Sequence, residues 1–273
     1  MKHLLCQISL IHKYADESTN LISEKVPYNL SVFFHNYYGN DYDWLRFFSS
    51  ELDRPYYLFY NIVTDSYQRL KDESGNSALR NQTDGSFIQQ LIIRNSTNKG
   101  KDIGGKLVLM DAYLKLDTKS EYLLLLHDKQ SLHQHNGQQW KEDLMRIAEK
   151  KYLEKALDVF NSSPSAGIVA SANAIRNEWD NEQQRNAYTN SELIRNLKEQ
   201  YGIYPSHLQF VAGTMFWVRA SIFENFFKKH PPLAIRATLE DGNVMDDMPT
   251  TTHAWERLLC WIVTSQGYQI KGI

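Results

Sequence analysis

The sequence predicts an α/β protein with a mostly parallel sheet flanked by helices. Short apolar runs typical of buried strands alternate with segments in which apolar residues recur at helical spacing. Strands that alternate with helices favour parallel pairing. The 273 residues, 42% hydrophobic and 23% charged, can bury a packed core, and one domain over residues 1–273 is expected. Because the chain stops directly after its last predicted strand, it also fits a domain taken from a longer protein.

Charge and cysteine content exclude several classes of protein. The net charge of -2 gives no electrostatic footprint for nucleic acid, so no nucleic-acid partner is expected. Cys6 and Cys260 form neither a disulfide pattern nor a metal-ligand pattern, and a reducing, cytoplasmic setting is the expectation. No apolar run reaches the roughly 18 residues that a membrane-spanning helix needs.

The first half of the chain contains five predicted strands and two predicted helices. The strands cover residues 3–11, Leu30–Tyr38, Tyr56–Val63, Leu91–Ile93 and Tyr122–Leu126. A helix capped by Asp41 or Asp43 continues to about Leu52, before Pro55. A second helix follows Gly105, with an apolar face formed by Ile103, Leu107, Met110 and Leu114.

The second half alternates in the same way. Helices are predicted over Trp140–Phe160, Ser191–Gln200, about Arg219–Lys229 and Thr251–Ser265. Strands are predicted over Ala166–Ala172, Gln209–Val218 and Gly267–Ile273. Gly213 interrupts the second of these strands, which indicates a close approach of backbone or ligand. Pro231 and Pro232 end a helix, and residues 236–250 are assigned to a loop rich in Asp, Gly and Met.

The stretch Leu91–Ser131 reads strand, loop, helix, strand, with polar groups where each strand ends. Ligands of open α/β sheets sit beyond the carboxyl ends of parallel strands, so a nucleotide-linked substrate is expected here. In the loop, Gly100, Gly104 and Gly105 are predicted to let backbone N–H groups approach a phosphate at the N-terminus of the helix. The alternative interpretation is an ordinary strand-to-helix turn with a capping Asp.

Charged side chains accompany these glycines. Lys99 and Lys101 add positive charge, and Asp102 is placed to hydrogen-bond a ribose or a base. The next strand stops at His127-Asp128-Lys129, which is either a ligand site or a solvated polar loop. With His133 and His135 nearby, the same segment also suits a transition metal.

Four motifs in order resemble the rhamnan synthesis F family of bacterial polysaccharide glycosyltransferases. They are Asn98–Gly105, His127–Ser131, Ala212–Arg219 and His253–Leu258, and the likeness runs from about Leu30 to the end of the chain. The resemblance implies a GT-A type, Rossmann-like fold that binds a nucleotide sugar, such as a dTDP-rhamnose-like or UDP-sugar donor. The implied acceptor is a glycan or lipid-linked glycan of a cell-surface polysaccharide such as lipopolysaccharide. The implied location is the cytoplasm, with peripheral association at the inner face of the membrane.

The resemblance assigns a donor side to the first two motifs. Its residues are Asn98, Lys99, Gly100, Lys101, Asp102, Gly104, His127, Asp128 and Lys129. Enzymes with this fold commonly carry two carboxylates at such a strand end, where they hold Mg²⁺ or Mn²⁺ on the diphosphate. Here Asp128 is the one candidate metal ligand, so no cofactor is fixed. Lys129 is the alternative, neutralising the diphosphate as a point charge.

The catalytic side is assigned to the last two motifs. Inverting sugar transfer needs a base for the acceptor hydroxyl, and Glu256, held by His253, is the predicted base. The alternative interpretation of Glu256 is a surface ion pair with Arg257 that contributes little to stability. The predicted sugar or acceptor contacts are Gly213, Thr214, Trp217 and Glu240, and the competing bases are Glu240, Asp241, Asp246 and Asp247.

Two other functions fit the same residues. A non-catalytic module would bind a nucleotide sugar or a glycan without turnover. A metal-dependent hydrolase would use the segment from His127 to His135, with Asp128 as a further ligand.

Overall fold

The computed structural model describes residues 30–39, 41–63, 87–128, 137–178, 190–242 and 250–273. Its strands are β1 (Leu30–Asn36), β2 (Tyr56–Val63), β3 (Ile88–Ser96), β4 (Tyr122–His127), β5 (Ala166–Ala170), β6 (Ile175–Asn177), β7 (Gln209–Val211), β8 (Phe216–Arg219) and β9 (Gln269–Gly272). Its helices are α1 (Asp41–Glu51), α2 (Lys101–Leu114), α3 (Gly137–Met145), α4 (Lys150–Ser162), α5 (Asn190–Tyr201), α6 (Ala220–Lys229), α7 (Pro232–Ala237) and α8 (Thr251–Thr264). The strand predicted over residues 3–11 lies outside the described residues.

In the described part of the chain, the central sheet has seven strands in the order β3-β2-β1-β4-β8-β5-β9. All neighbouring pairs are parallel except those of β8, which runs antiparallel to both β4 and β5. β6 and β7 form a separate two-stranded antiparallel sheet. The predicted fold class is confirmed: this is a Rossmann-like α/β fold with a mostly parallel sheet flanked by helices.

The two central strands explain why the sheet forms. Every residue of β1 and of β4 is buried, and each strand contains a continuous apolar run, Val32–Phe34 in β1 and Tyr122–Leu126 in β4. Such runs are typical of parallel strands that are covered by helices on both faces. Phe33 pairs with Leu125 across the β1–β4 ladder, and its ring packs on that of Tyr113 from α2. Helix α2 therefore covers the centre of the sheet.

The single long helix predicted over Trp140–Phe160 is wrong. Two helices, α3 and α4, are separated by a short 3₁₀ turn at Arg146–Ala148 and by Glu149 in an extended conformation. The indole Nε1 of Trp217 donates to the carbonyl oxygen of Ile147 at 3.0 Å. That carbonyl is thereby bound to the sheet, which stabilises the break.

The single strand predicted over Gln209–Val218 is also wrong. Gly213 and Thr214 both adopt left-handed conformations, with φ of 80° and 51°, so the chain turns between β7 and β8. The two strands then join different sheets. Gly213 therefore lies in a turn. The sequence pattern on either side of it could not show that the two strands belong to different sheets.

Two helix boundaries differ from expectation as well. Helix α2 begins at Lys101, so Gly104 and Gly105 lie inside it and do not precede it. The segment after Pro231 forms the short helix α7, with Pro232 in its first turn, where a missing N–H costs nothing. Among the described residues, no helix combines the length and the apolar character needed to cross a membrane.

The topology gathers polar groups at one edge of the sheet. The carboxyl ends of β1, β3 and β4 lie there because these strands are parallel. β8 runs the other way, so its beginning lies at that same edge, with Phe216 opposite Leu125 near the end of β4. The turn at Gly213 and Thr214 therefore meets the segments that follow β3 and β4.

Candidate active site

The loop between β3 and α2 is bonded to the protein through its own backbone. The N–H of Gly100 donates to the carbonyl oxygen of Glu240 at 2.8 Å, and the N–H of Lys101 donates to that of Asn98 at 3.0 Å. The N–H of Gly104 donates to the carbonyl oxygen of Gly100. The predicted role of the Gly100 and Gly104 amides at a phosphate does not fit these contacts.

The glycines instead allow close packing. A Cβ atom on Gly104 would lie within 3.0 Å of the Lys99 carbonyl, and one on Gly105 would lie equally close to the His35 ring. A Cβ on Gly100 would overlap the Leu239 side chain, and Gly100 also needs its φ of 74°. These positions are glycine because α2 approaches its neighbours too closely for a side chain.

Behind this loop lies a polar cluster of Asp102, Lys106, His127 and Thr214, here called the Lys106 cluster, in which Asp102 is partly exposed and the other three residues are buried. The ammonium group of Lys106 lies 2.9 Å from Asp102 Oδ2 and 3.1 Å from His127 Nδ1. It also donates to both the carbonyl and the hydroxyl oxygen of Thr214, and that hydroxyl donates to Asp102 Oδ2 at 2.6 Å. The contact with His127 joins the ammonium to a ring nitrogen whose role in the hydrogen bond depends on the tautomer of the ring.

Burial and charge act in opposite directions on Asp102. Burial raises the pKa of this carboxyl, but Lys106 and His127, with the hydrogen bonds from Thr214 and Lys106, hold it well below its usual range. Burial lowers the pKa of His35 to about 4, although Asp102 opposes that change. At neutral pH the carboxylate of Asp102 is therefore ionised and the imidazole of His35 is neutral.

The turn between β7 and β8 connects this cluster to helix α8. Thr214 is a β-branched residue with positive φ, which is a strained conformation that the surrounding contacts must maintain. Directly before it, the N–H of Gly213 donates to Glu256 Oε1 at 2.7 Å. The predicted donor loop and the predicted base are thus joined through Asp102, Thr214, Gly213 and Glu256.

Glu256 is held by backbone and by arginine. Its Oε2 accepts from Arg257 Nη1 at 3.1 Å, and Arg257 Nε in turn donates to Glu178 at 2.9 Å while its guanidinium lies over the Phe210 ring. The Glu256 side chain is 23% exposed, so it still faces solvent at the edge of the sheet. Within the described residues, His253 Nδ1 is bonded to Thr250 Oγ1 at 2.9 Å, so the expectation that His253 holds Glu256 does not fit.

Glu240 is bonded to the beginning of α8. Its carboxylate accepts from the backbone N–H groups of Thr251 and Thr252 and from the Thr252 hydroxyl. An anion at this end of a helix satisfies unpaired amides and interacts favourably with the helix dipole. Burial raises the pKa of Glu240, but these hydrogen bonds outweigh it and lower the pKa to about 2. A carboxylate with so low a pKa is a weak proton acceptor, which argues against Glu240 as the competing base.

We expect Glu240→Gln to be less stable than the wild type at pH 7. The folded-state pKa of Glu240 lies below its ordinary value of 4.5, so its stabilising effect is present above pH 4.5 and is lost as the pH falls towards about 2. Urea unfolding at pH 7, 4 and 3 should show the difference between the two proteins shrinking. Glu199→Gln, at an exposed position of α5, is the control and should show no such trend. A constant difference at all three pH values would contradict the capping role.

Asp128 stabilises the loop after β1. Its two carboxylate oxygens accept from the backbone N–H groups of Tyr37 and Tyr38, at 2.8 and 2.5 Å, and its own N–H donates to the His35 carbonyl. Asn36 Oδ1 accepts from the N–H of Gly39 in the same loop. The loop holds the two tyrosine rings nearly perpendicular, with their centroids 4.9 Å apart. Tyr37 is 40% exposed and Tyr38 is 37% exposed.

These contacts give Asp128 a role in the fold beside the metal considered for it. Each of its oxygens accepts one backbone N–H group and keeps a second lone pair, so a metal at Asp128 stays a prediction. In the described ranges, no group of three or more His, Cys, Asp or Glu side chains is arranged to hold a metal ion. Lys129, His133 and His135 lie outside the described residues, and so does the hydrolase site predicted from them.

Two further predicted contacts are buried. Trp217 is fully buried and bonded to the Ile147 carbonyl, so its predicted role at a sugar does not fit its position in the core. Thr214 is only 1% exposed and acts within the Lys106 cluster. Of the competing bases, Asp241 lies in the described part of the chain, whereas Asp246 and Asp247 lie outside it.

Residues from both predicted halves of the site line one small cleft, although Glu256 is not among them. The cleft is partly open, has a volume of about 10 Å³ and lies between the loop before α2 and the start of α8. Its lining residues are Lys101, Glu240, Asp241, Thr250, Thr252 and His253. The loop that carries the predicted donor residues therefore faces the helix that carries the predicted base.

Sequence reasoning missed Lys106 and the Tyr37–Tyr38 pair. Lys106 lies four residues after Asp102 and on the apolar face of α2, between Ile103 and Met110, and a lysine at that position was a usable signal. The two tyrosines were assigned to the preceding strand. Their exposure follows from the end of β1 at Asn36, which no local pattern indicated.

Comparison with known proteins identifies the family of the chain. The family described as rhamnan synthesis protein F matches residues 3–268, which is nearly the whole chain. No curated protein matches the chain. A family match of this extent covers all the described helices and strands apart from β9. The chain therefore belongs to the rhamnan synthesis protein F family and to a group of proteins involved in polysaccharide synthesis.

Proposed function

We propose that this protein is a glycosyltransferase that moves a sugar from a nucleotide-sugar donor to a growing cell-surface polysaccharide. The donor is of the dTDP-rhamnose or UDP-sugar type, and the reaction inverts the anomeric carbon. The observation that supports this most is the hydrogen-bonded path from Asp102 through Thr214 and Gly213 to Glu256. That path brings the predicted donor side and the predicted base together at the carboxyl edge of the sheet.

The reaction is a single displacement. The oxygen of an acceptor hydroxyl attacks the anomeric carbon, the bond to the diphosphate oxygen breaks, and the hydroxyl proton moves to Glu256. Glu256 is suited to this role because Gly213 and Arg257 fix its orientation while part of the carboxylate remains exposed. The nucleoside diphosphate leaves with the electron pair of the broken bond.

The donor lies against the loop before α2 in this proposal. Lys101 lines the pocket beside α8, and its positive charge favours the diphosphate. Asp102 has one oxygen, Oδ2, bonded within the Lys106 cluster, and its side chain is 26% exposed. The exposed part of an ionised carboxylate is a good acceptor for sugar or ribose hydroxyl groups.

Tyr37 and Tyr38 supply flat apolar surface at the same edge. Aromatic rings whose backbone is held in place lose little entropy when a ring-shaped ligand packs on them. The bonds from Asp128 and Asn36 hold this loop, so the two rings suit a base or a sugar ring. The acceptor in this proposal is a glycan or lipid-linked glycan, reached at the inner face of the membrane by peripheral association.

A thermal-shift screen over nucleotide sugars, with and without Mn²⁺, tests donor binding. A ligand that binds only the folded state at 100 times its Kd stabilises it by about 2.7 kcal/mol, so the correct donor should raise Tm by several degrees. Release of nucleoside diphosphate from that donor with a glycan acceptor then tests transfer. Sugar-free nucleotides and unrelated sugars are the controls. Neither a shift nor release with any donor would contradict the proposal.

A binding module is the second candidate function. Both carboxylate oxygens of Glu256 already accept hydrogen bonds, from Gly213 and Arg257, which suits a residue that only supports the fold. Such a module would show a thermal shift with a nucleotide sugar and no nucleoside diphosphate under any acceptor condition. Turnover that depends on Glu256 would exclude it.

A further inference from the structure

We infer that Lys106 is a positioning residue that controls Glu256 through the Gly213–Thr214 turn. Lys106 does not need to contact Glu256, because it acts through the Gly213 N–H group that donates to the Glu256 carboxylate. The predicted effect of Lys106 on catalysis rests on the proposed function. The predicted effect of Lys106 on the Gly213 N–H concerns only contacts within the protein and does not depend on that function.

The burial of Lys106 is costly and calls for a reason. Its side chain is 3% exposed, and removing an ammonium group from water costs several kcal/mol before any pairing. The neighbouring positions Ile103, Leu107 and Met110 on the same helix are buried apolar residues. An apolar side chain would pack among them at lower cost, so packing alone does not explain a lysine here.

Lys106 connects three separate parts of the fold. It bonds Asp102 on its own helix, His127 at the end of β4, and the turn before β8 through Thr214. These segments are far apart in sequence and meet at the carboxyl edge of the sheet. A single buried cation therefore sets their relative positions.

The contacts with Thr214 are the important ones for Glu256. Lys106 donates to both the carbonyl and the hydroxyl oxygen of Thr214, which holds this residue in its strained, left-handed conformation. The orientation of the preceding peptide depends on that conformation. Gly213 carries the N–H that donates to Glu256 Oε1, so loss of Lys106 should free the turn and misdirect this donor.

The test uses Lys106→Met, which keeps the length of the side chain and removes its charge and its donors. Amide hydrogen exchange at Gly213 should become on the order of tenfold faster, the change expected when one hydrogen bond is weakened. Lys115→Met is the matched control, because Lys115 pairs with Asp111 at the exposed end of the same helix. The control should leave Gly213 exchange unchanged.

The kinetic test is non-additivity. Lys106→Met should lower kcat about tenfold or more in the wild type, and it should have little further effect when Glu256→Gln is already present, since it acts through Glu256. A residue with only a structural role would reduce turnover by the same factor in both backgrounds. Equal factors, or unchanged Gly213 exchange, would overturn the inference.

A second variant covers the case in which Lys106→Met does not fold. Asp102→Asn with Lys106→Met removes both charges and leaves no unpaired buried ion, and it should show the same faster Gly213 exchange. The exchange measurement needs no substrate. If the wild type transfers no sugar, the proposed function fails. Amide hydrogen exchange at Gly213 still tests whether Lys106 holds the turn.

Discussion

Replacing Glu256 by Gln is expected to lower the rate of sugar transfer by about 10²- to 10⁴-fold, the usual contribution of a general base. The amide can still accept from the Gly213 N–H, but it can no longer take the acceptor proton. Donor binding should remain, because the predicted donor contacts lie on the loop before α2. Nucleoside diphosphate release measures the rate, and the thermal shift with donor measures binding.

The matched control is Glu178→Gln. Glu178 bonds the same guanidinium of Arg257 as Glu256 does, so this variant removes a comparable ion pair without removing the predicted base. Its turnover should stay within a few fold of the wild type. Full turnover in Glu256→Gln would show that the base lies elsewhere, and equal losses in both variants would show that Glu256 matters only through Arg257.

Replacing Gly105 by Ala should destabilise the protein, although Ala is the better helix former. In an ordinary helix the exchange gains roughly 1 kcal/mol. Here the new methyl group would overlap the ring of His35, which is buried and bonded to Asn61 at 2.8 Å. Overpacking of this kind costs about 1–3 kcal/mol, and the lost ring contacts add to it. The denaturant concentration at the midpoint of unfolding and the Tm should both fall.

A double-mutant cycle distinguishes overpacking from other causes. If the penalty comes from the His35 ring, Gly105→Ala should cost little or even stabilise when His35→Ala is also present. His35→Ala alone is the reference for the cycle, because it separates the loss of the ring from the effect of the added methyl group. An undiminished penalty in the His35→Ala background would contradict the packing argument.

The fold was predictable because its signals are local. Buried parallel strands are continuous apolar runs, and those at Leu30, Tyr56 and Tyr122 were recognised within a few residues of their bounds. The errors arise where a distant group decides the local structure. The break between α3 and α4 depends on the indole of Trp217, some seventy residues later, and no periodicity within the helix contains that information.

The site divides in the same way. Motif order placed Asp102 and Glu256 in the site, and the structure joins them through Thr214 and Gly213. Their roles in catalysis stay predictions. The glycines were interpreted as phosphate contacts because close packing and ligand approach favour the same residue, and only tertiary neighbours such as His35 distinguish them. Lys106 was missed because its partners come from three distant segments.

Glu240 connects two segments of the site by chemically different means. Its carbonyl oxygen accepts from Gly100, and its carboxylate accepts from Thr251, so one residue holds the loop before α2 and the beginning of α8 together. A substitution at this position removes the carboxylate contacts and keeps the main-chain contact, since the carbonyl belongs to the backbone. The alignment of the two segments is therefore partly independent of the side chain at residue 240.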